Sequence, residues 1–206
     1  MKTVGIIDIG SGNLFSLIKS IKPLKINIKI IQNVDDVKKT DGLLIPGVGS
    51  FKSGMDNIKN TNIYKELIDF GKTNKPILGI CLGMQLLLSE SMEFGLFKGL
   101  NFIPGKVKPI PKNLGYPVPN IGWSEIKFKN NQVKPFEDID QNTDFYFIHS
   151  YYCEPDNKDH VLGEIDYGKI KIPAIIKHNN IYGCQFHPEL SDKSGFKILS
   201  NFISLI

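Results

Sequence analysis

The sequence predicts an α/β fold. One domain spans residues 1–206, with a central, mostly parallel sheet flanked by helices and an added antiparallel strand region in the C-terminal half. Three observations carry this. In the first half, short runs that are apolar throughout alternate with segments of helical spacing, as in a parallel sheet covered on both faces. In the second half, Pro104, Pro109, Pro111, Pro117 and Pro119 cluster between strand-like pieces. The composition, 41% hydrophobic and 22% charged over 206 residues, is that of a globular chain with ample core.

Taken in order, Val4–Ile9 is a buried strand running into the turn signal Gly10-Ser11-Gly12-Asn13. Leu14–Ile21 recurs at helical spacing and stops before Pro23. Ile26–Ile31 and Gly42–Pro46 are further strands. Residues 61–72 set Ile63, Leu67, Ile68 and Phe70 near one helical face, with Gly71 as a stop. Pro76–Cys81 is a strand followed directly by a helical stretch, Leu82–Ser89. Beyond residue 100 the strongest strands are Phe145–Tyr152, Val161–Ile165, Ile172–Lys177 and Ile181–Phe186. Lys177–Asn180 joins the last two as a hairpin turn, and residues 192–206 close the chain with an amphipathic helix.

Several function classes are disfavoured. The net charge is +4, yet every basic residue is a lysine, and the lysines are scattered along the chain. A nucleic-acid binder would cluster arginines for bidentate contacts, so no nucleic-acid partner is expected. No apolar run approaches the roughly 18 residues of a membrane helix, and the start lacks a signal-peptide pattern. Cys81, Cys153 and Cys184 form no CxxC pair, which suits a reducing, cytoplasmic compartment. No spacing resembles a metal site.

The sharpest local feature is Gly79-Ile80-Cys81-Leu82-Gly83, a glycine-flanked nucleophile between a strand and a helix. Such a turn is tight, and the residues two before and two after the nucleophile must be small. A lone cysteine reads as structural; this context makes Cys81 a nucleophile. It needs a base, and the base an orienting group. In Gln185-Phe186-His187-Pro188-Glu189, residues two apart share a face in an extended chain, so Glu189 can hold the ring of His187. Pro46-Gly47-Val48-Gly49-Ser50 follows a strand, where glycines let backbone amides face a developing oxyanion. His149-Ser150-Tyr151 ends a strand and either lines a site or packs. His160 and His178 read as surface, Cys153 and Cys184 as core, and Trp123 as core or as an exposed contact.

Together, Gly79 to Gln85 and Gln185 to Glu189 resemble the class I (triad) glutamine amidotransferases. Asp8 to Asn13, Pro46 to Phe51, Pro119 to Trp123 and Tyr146 to Tyr152 extend the likeness along the whole chain. Within the superfamily they resemble most the glutaminase subunits of imidazole glycerol phosphate synthases. The resemblance implies that Cys81, His187 and Glu189 hydrolyse glutamine to glutamate and ammonia. It implies an oxyanion held by amides around Val48 and Leu82, and glutamine held by Gly47, Gly49, Gln85, Ser150 and Tyr151. It further implies a heterodimer with a (β/α)8-barrel cyclase of histidine biosynthesis, reached through Asn13, Asn120, Trp123 and Tyr146, and no metal or organic cofactor. Two departures fall on partner-facing segments. Pro119-Asn120-Ile121-Gly122-Trp123-Ser124 stands where the family reads Pro-His-Met-Gly-Trp-Asn, and Leu190 where it favours lysine. A paralogue supplying ammonia to another synthase, such as a sugar amidotransferase of surface polysaccharide assembly, fits the same triad. A stand-alone Cys–His hydrolase is a third reading.

Overall fold

The computed structural model describes residues 1–10, 14–113, 115–130 and 132–206. Its first half is built as the apolar runs require. β1 (Thr3–Ile7), β2 (Asn27–Ile31), β3 (Gly42–Gly47) and β4 (Ile77–Cys81) are all parallel, in the order β2-β1-β3-β4. Each inner strand is apolar on both sides, because helices cover both faces. α1 (Leu14–Ile21) puts Leu17 and Ile21 against Val4, Ile6 and Leu44. On the other face, α3 (Phe51–Lys59) and α4 (Tyr64–Gly71) bury Phe51, Met55, Ile58, Leu67 and Phe70 against Ile7, Leu43 and Ile45.

Two helices escape the sequence reading. α2 (Val34–Lys38) is short, and α3 starts among glycines. Both start at a side-chain cap, where Asn33 accepts from the Asp36 N–H and Ser50 from the Ser53 N–H, and α3 also carries an apolar stripe at helical spacing, Phe51, Met55 and Ile58. The helix expected over Leu82–Ser89 is also shorter. α5 (Leu82–Leu86) ends early because the leucine run turns into β5 (Leu88–Ser91). β5 pairs antiparallel with β6 (Phe97–Lys98) and parallel with β7 (Ile103–Pro109). A run of leucines satisfies either element, and the ladder decides.

The C-terminal half supplies the antiparallel strands. β8 (Asn120–Phe128) pairs with β9 (Thr143–His149). The expected strand over Phe145–Tyr152 is broken at Ser150, after which β10 (Tyr151–Pro155) crosses to pair with β7. One segment thus serves two sheets. β11 (Val161–Tyr167), β12 (Ile170–His178) and β13 (Ile181–Cys184) follow, the last two joined by the expected hairpin turn. β13 lies parallel to β4 and completes a nine-stranded mixed sheet, β2-β1-β3-β4-β13-β12-β11-β8-β9. α6 (Asp192–Ile203) packs Ile198, Leu199 and Phe202 on the α1 side. Among the described residues, no helix is long and apolar enough to cross a membrane.

Candidate active site

β3, β4 and β13 are adjacent parallel strands, and their carboxyl ends deliver the chemistry-bearing residues to one place. Ligands of open α/β sheets bind at that end. Cys81 is the last residue of β4 and sits at φ 54, ψ −110. That is a left-handed conformation costing about 1–3 kcal/mol for a residue with a Cβ. Its neighbours explain how it is enforced. A Cβ on Gly79 would meet the Gly83 carbonyl oxygen at 2.6 Å, as the tight turn demands. Gly83 is small for a different reason from the one expected. Its Cβ would strike the Ile45 carbonyl oxygen of β3 at 1.6 Å.

The β4–β13 register pairs Ile80 with Cys184, so Gln185 follows alongside Cys81. The Gln185 amide lies 3.7 Å from the Cys81 Sγ, and the Ile148 carbonyl 3.8 Å from it. Two residues on, His187 Nδ1 is 2.8 Å from Glu189 Oε1, and both side chains are buried. Burial opposes a charge on His187, but the Cys81 sulfur and the Glu189 carboxylate outweigh it and raise its pKa to about 10. The Nε2 of His187 and Oε2 of Glu189 are buried with no hydrogen-bond partner among the described residues. Ser191 ties the segment to β9: its hydroxyl donates to the His187 carbonyl and accepts from the Tyr146 N–H.

A cavity of about 350 Å³ opens at Cys81. Its walls include Val48, Gly49, Leu82, Gln85, Ser150 and Tyr151 from the sequence reading. Gly47 is not on the wall; it pairs with Cys81 across β3–β4, and Ile9 would crowd a Cβ there at 2.2 Å. Gln85 is buried and fixed, donating to the Tyr151 carbonyl at 3.2 Å and to Gln185 Oε1 at 3.1 Å.

Sequence reasoning missed two residues. Glu93 is buried on the cavity wall, accepts from the Phe51 N–H at 2.5 Å, and has its pKa raised by burial against that bond. It sits in a polar turn whose partner is 42 residues away, so no local pattern marks it. Gln185 falls within the His-Pro-Glu segment, but only the β13 register shows what it touches.

His149 lines the cavity and is built into the sheet. Burial drives its pKa down to about 4; its Nδ1 donates to the Tyr151 carbonyl, and its Nε2 accepts from Asn120. This corrects the expectation for Asn120. Its side chain is 4% exposed and turned inward, because residues 120 and 123 fall on opposite faces of β8. Trp123 is 50% exposed, with Tyr146 across from it and their rings 6.1 Å apart. Asn13 lies outside the described residues. His160 and His178, expected at the surface, are half-buried and stack with centroids 4.6 Å apart. Cys153 and Cys184 are buried in the core. Among the described residues, no group of three or more His, Cys, Asp or Glu is placed to hold a metal.

The profile of the class-I glutamine amidotransferase family matches residues 5–205. The chain is 39% identical to the imidazole glycerol phosphate synthase subunit HisH of Prochlorococcus marinus, over 98% of this chain and 93% of that protein. It is 40% identical to the subunit of that name from a Geobacillus species, over 98% and 97%. For that of Moorella thermoacetica the identity is 37%, over 100% and 96%. Among solved structures, a glutamine amidotransferase superposes with a TM-score of 0.76 at 17% identity, over 98% of this chain and 97% of that one. PurLQS from Thermotoga maritima gives 0.75 at 16%, over 98% of each. The chain belongs to the class I glutamine amidotransferase family, among the HisH-type subunits of imidazole glycerol phosphate synthase.

Proposed function

We propose that Cys81 attacks the side-chain amide of glutamine, with His187 as proton carrier and Glu189 as its orienting group. The observation that carries this is the strained elbow at Cys81 beside a His187 whose Nδ1 Glu189 holds at 2.8 Å, the Cys81 sulfur and the Glu189 carboxylate together favouring its charged form. Cys81 Sγ adds to the amide carbon, and the oxygen takes negative charge between backbone N–H groups at Val48 and Leu82. The imidazolium gives its Nε2 proton to the departing nitrogen, leaving ammonia and a γ-glutamyl thioester. Neutral His187 then takes a proton from water, which attacks the thioester and releases glutamate. Glu93 is a buried carboxylate suited to the substrate's ammonium, while Gly49, Gln85, Ser150 and Tyr151 frame the rest.

The ammonia passes to a cyclase partner in this reading. Ile121 pairs with Ile148, and Trp123 with Tyr146, on the outer face of β8 and β9. Ile121, Trp123 and Ile148 are exposed, an apolar patch of the kind that a partner covers. Ile148 also turns its carbonyl toward Cys81, so one edge of the patch adjoins the thiol. Ammonia released there stays a nucleophile only while shielded from protonation by water.

The test is glutamate release from glutamine by the purified chain, alone and with the cyclase and its nucleotide ligand. Turnover stimulated by that pair and abolished by Cys81→Ala is the expected result. Turnover that survives Cys81→Ala refutes the assignment.

A further inference from the structure

Behind the candidate site, on the side away from the glutamine cavity, is a second cavity of about 370 Å³ lined by Ser16, Lys19, Ser20, Pro23, Glu189 and Phe196. Four of these six residues have the spacing i, i+3, i+4, i+7. They form one stripe along α1 and its extension, facing the 188–190 turn against which α1 packs. Glu189 is one of the residues that line the cavity. One oxygen of its carboxylate holds His187, while the other, Oε2, is buried and has no hydrogen-bond partner among the described residues. The Glu189 side chain is 5% exposed. A buried carboxylate with an unanswered oxygen is costly, and a cation is its strongest answer. Lys19 is the cation on the cavity wall. Among the described residues it makes no ion pair, and its long stem lets the ammonium enter.

We propose that Lys19 is a positioning residue for the triad: its ammonium occupies this cavity, pairs with Glu189 Oε2 and holds the carboxylate in line with His187. The other groups around Glu189 do not substitute for it. From β13 it meets the uncharged Cys184 thiol, and from α6 the ring of Phe196. Asp192 and Lys193 line a separate surface pocket with Trp123 and Asp144. His187 is already engaged through Nδ1. Lys19 therefore sets how strongly Glu189 holds the His187 proton. With the lysine removed, the unbalanced carboxylate holds that proton more tightly.

The inference rests on the Cys–His–Glu reading of the site, but its test is separable from glutamine chemistry. In the full chain labelled with [15N]histidine, the downfield His187 Nδ1–H resonance is followed against pH for wild type, Lys19→Met, Lys19→Arg and Lys22→Met. The expected result is a titration moved upward by about half a unit or more in Lys19→Met, and unmoved in the other two. Glutamine hydrolysis, with the cyclase present, falls about threefold to tenfold in kcat at unchanged KM in Lys19→Met and is restored in Lys19→Arg. An unmoved resonance in Lys19→Met overturns the proposal. So does an equal shift in Lys22→Met, which makes it one of net charge, or a Lys19→Arg variant as altered as Lys19→Met. A moved resonance with no glutamine turnover in any variant supports the Lys19 assignment and counts against the glutaminase reading.

Discussion

The side-chain amide of Gln185 stands 3.7 Å from the Cys81 sulfur while its carbonyl oxygen accepts from Gln85 at 3.1 Å. A donor so placed points at the attacking atom, and its partner fixes which end of the amide faces the thiol. Gln185→Leu removes the donor and leaves the cavity wall intact. The expected outcome is a kcat for glutamine hydrolysis lowered about tenfold with little change in KM. Stability falls by only about 1–2 kcal/mol, because Gln85 keeps its bond to the Tyr151 carbonyl. Steady-state kinetics beside urea denaturation separate the two effects. A wild-type kcat removes Gln185 from the chemistry.

Gly83 and Gly115 make a matched pair for testing the elbow. At Gly83 an added Cβ meets the Ile45 carbonyl at 1.6 Å, so β3 or α5 has to move. At Gly115 nothing among the described residues lies within 4 Å, and the cost is the φ of +76 alone. Gly83→Ala is expected to lose about 4 kcal/mol or more, or to fail to accumulate folded. Gly115→Ala loses about 1 kcal/mol. Equal thermal midpoints for the two variants would show that the β3–α5 contact is looser than the geometry requires.

His149 predicts a pH dependence. Its folded pKa is about 4 against an ordinary 6.5, because burial and the nearby His187 charge disfavour its protonated form and outweigh the bond to the Tyr151 carbonyl. Between these values the unfolded chain binds a proton that the native state does not, so stability rises with pH across that window. The contribution is full above pH 6.5 and is lost as pH falls toward 4, a swing of about 3 kcal/mol. Glu93, with its raised pKa, works in the opposite sense, and comparison of variants cancels it. His149→Phe is expected to be less stable at pH 7 but to show a flatter decline in denaturation midpoint from pH 7 to 4. Parallel curves for the two proteins contradict a buried neutral imidazole.

What the sequence made legible was whatever a local pattern could carry. Apolar runs marked the parallel strands, and Cys81 with its glycines marked the strand-to-helix turn. His187 and Glu189 lie two apart and do meet, but across the turn at Pro188–Leu190 and not along an extended strand. The misses are long-range. Glu93 meets Phe51 through the fold, and Gln185 meets Cys81 because β13 inserts beside β4 with a fixed register. Asn120 was misplaced for a simpler reason. It was grouped with Trp123 as one segment, although a strand sends residues three apart to opposite faces. The break at Ser150 was hidden because both β9 and β10 are aromatic and apolar, and only their partners differ.

Trp123 is the sole tryptophan, half-exposed on the outer face of β8 with Tyr146 edge-on beside it. Ile121 and Ile148 are exposed on the same face, and tryptophan is among the residues that dominate interface energetics. Its emission therefore reports on the patch without a label. Saturating cyclase is expected to shift that emission to the blue and to protect it from acrylamide. Trp123→Ala is expected to weaken the complex by about 2 kcal/mol, roughly thirtyfold in Kd, because the ring is an anchor. The same variant keeps the chain's melting temperature within a few degrees, since the lost contacts are mostly to solvent and Tyr146. Emission and quenching that stay unchanged at saturating cyclase would place the partner elsewhere. A partner seated elsewhere would leave the Ile148 carbonyl, and the thiol beside it, open to water.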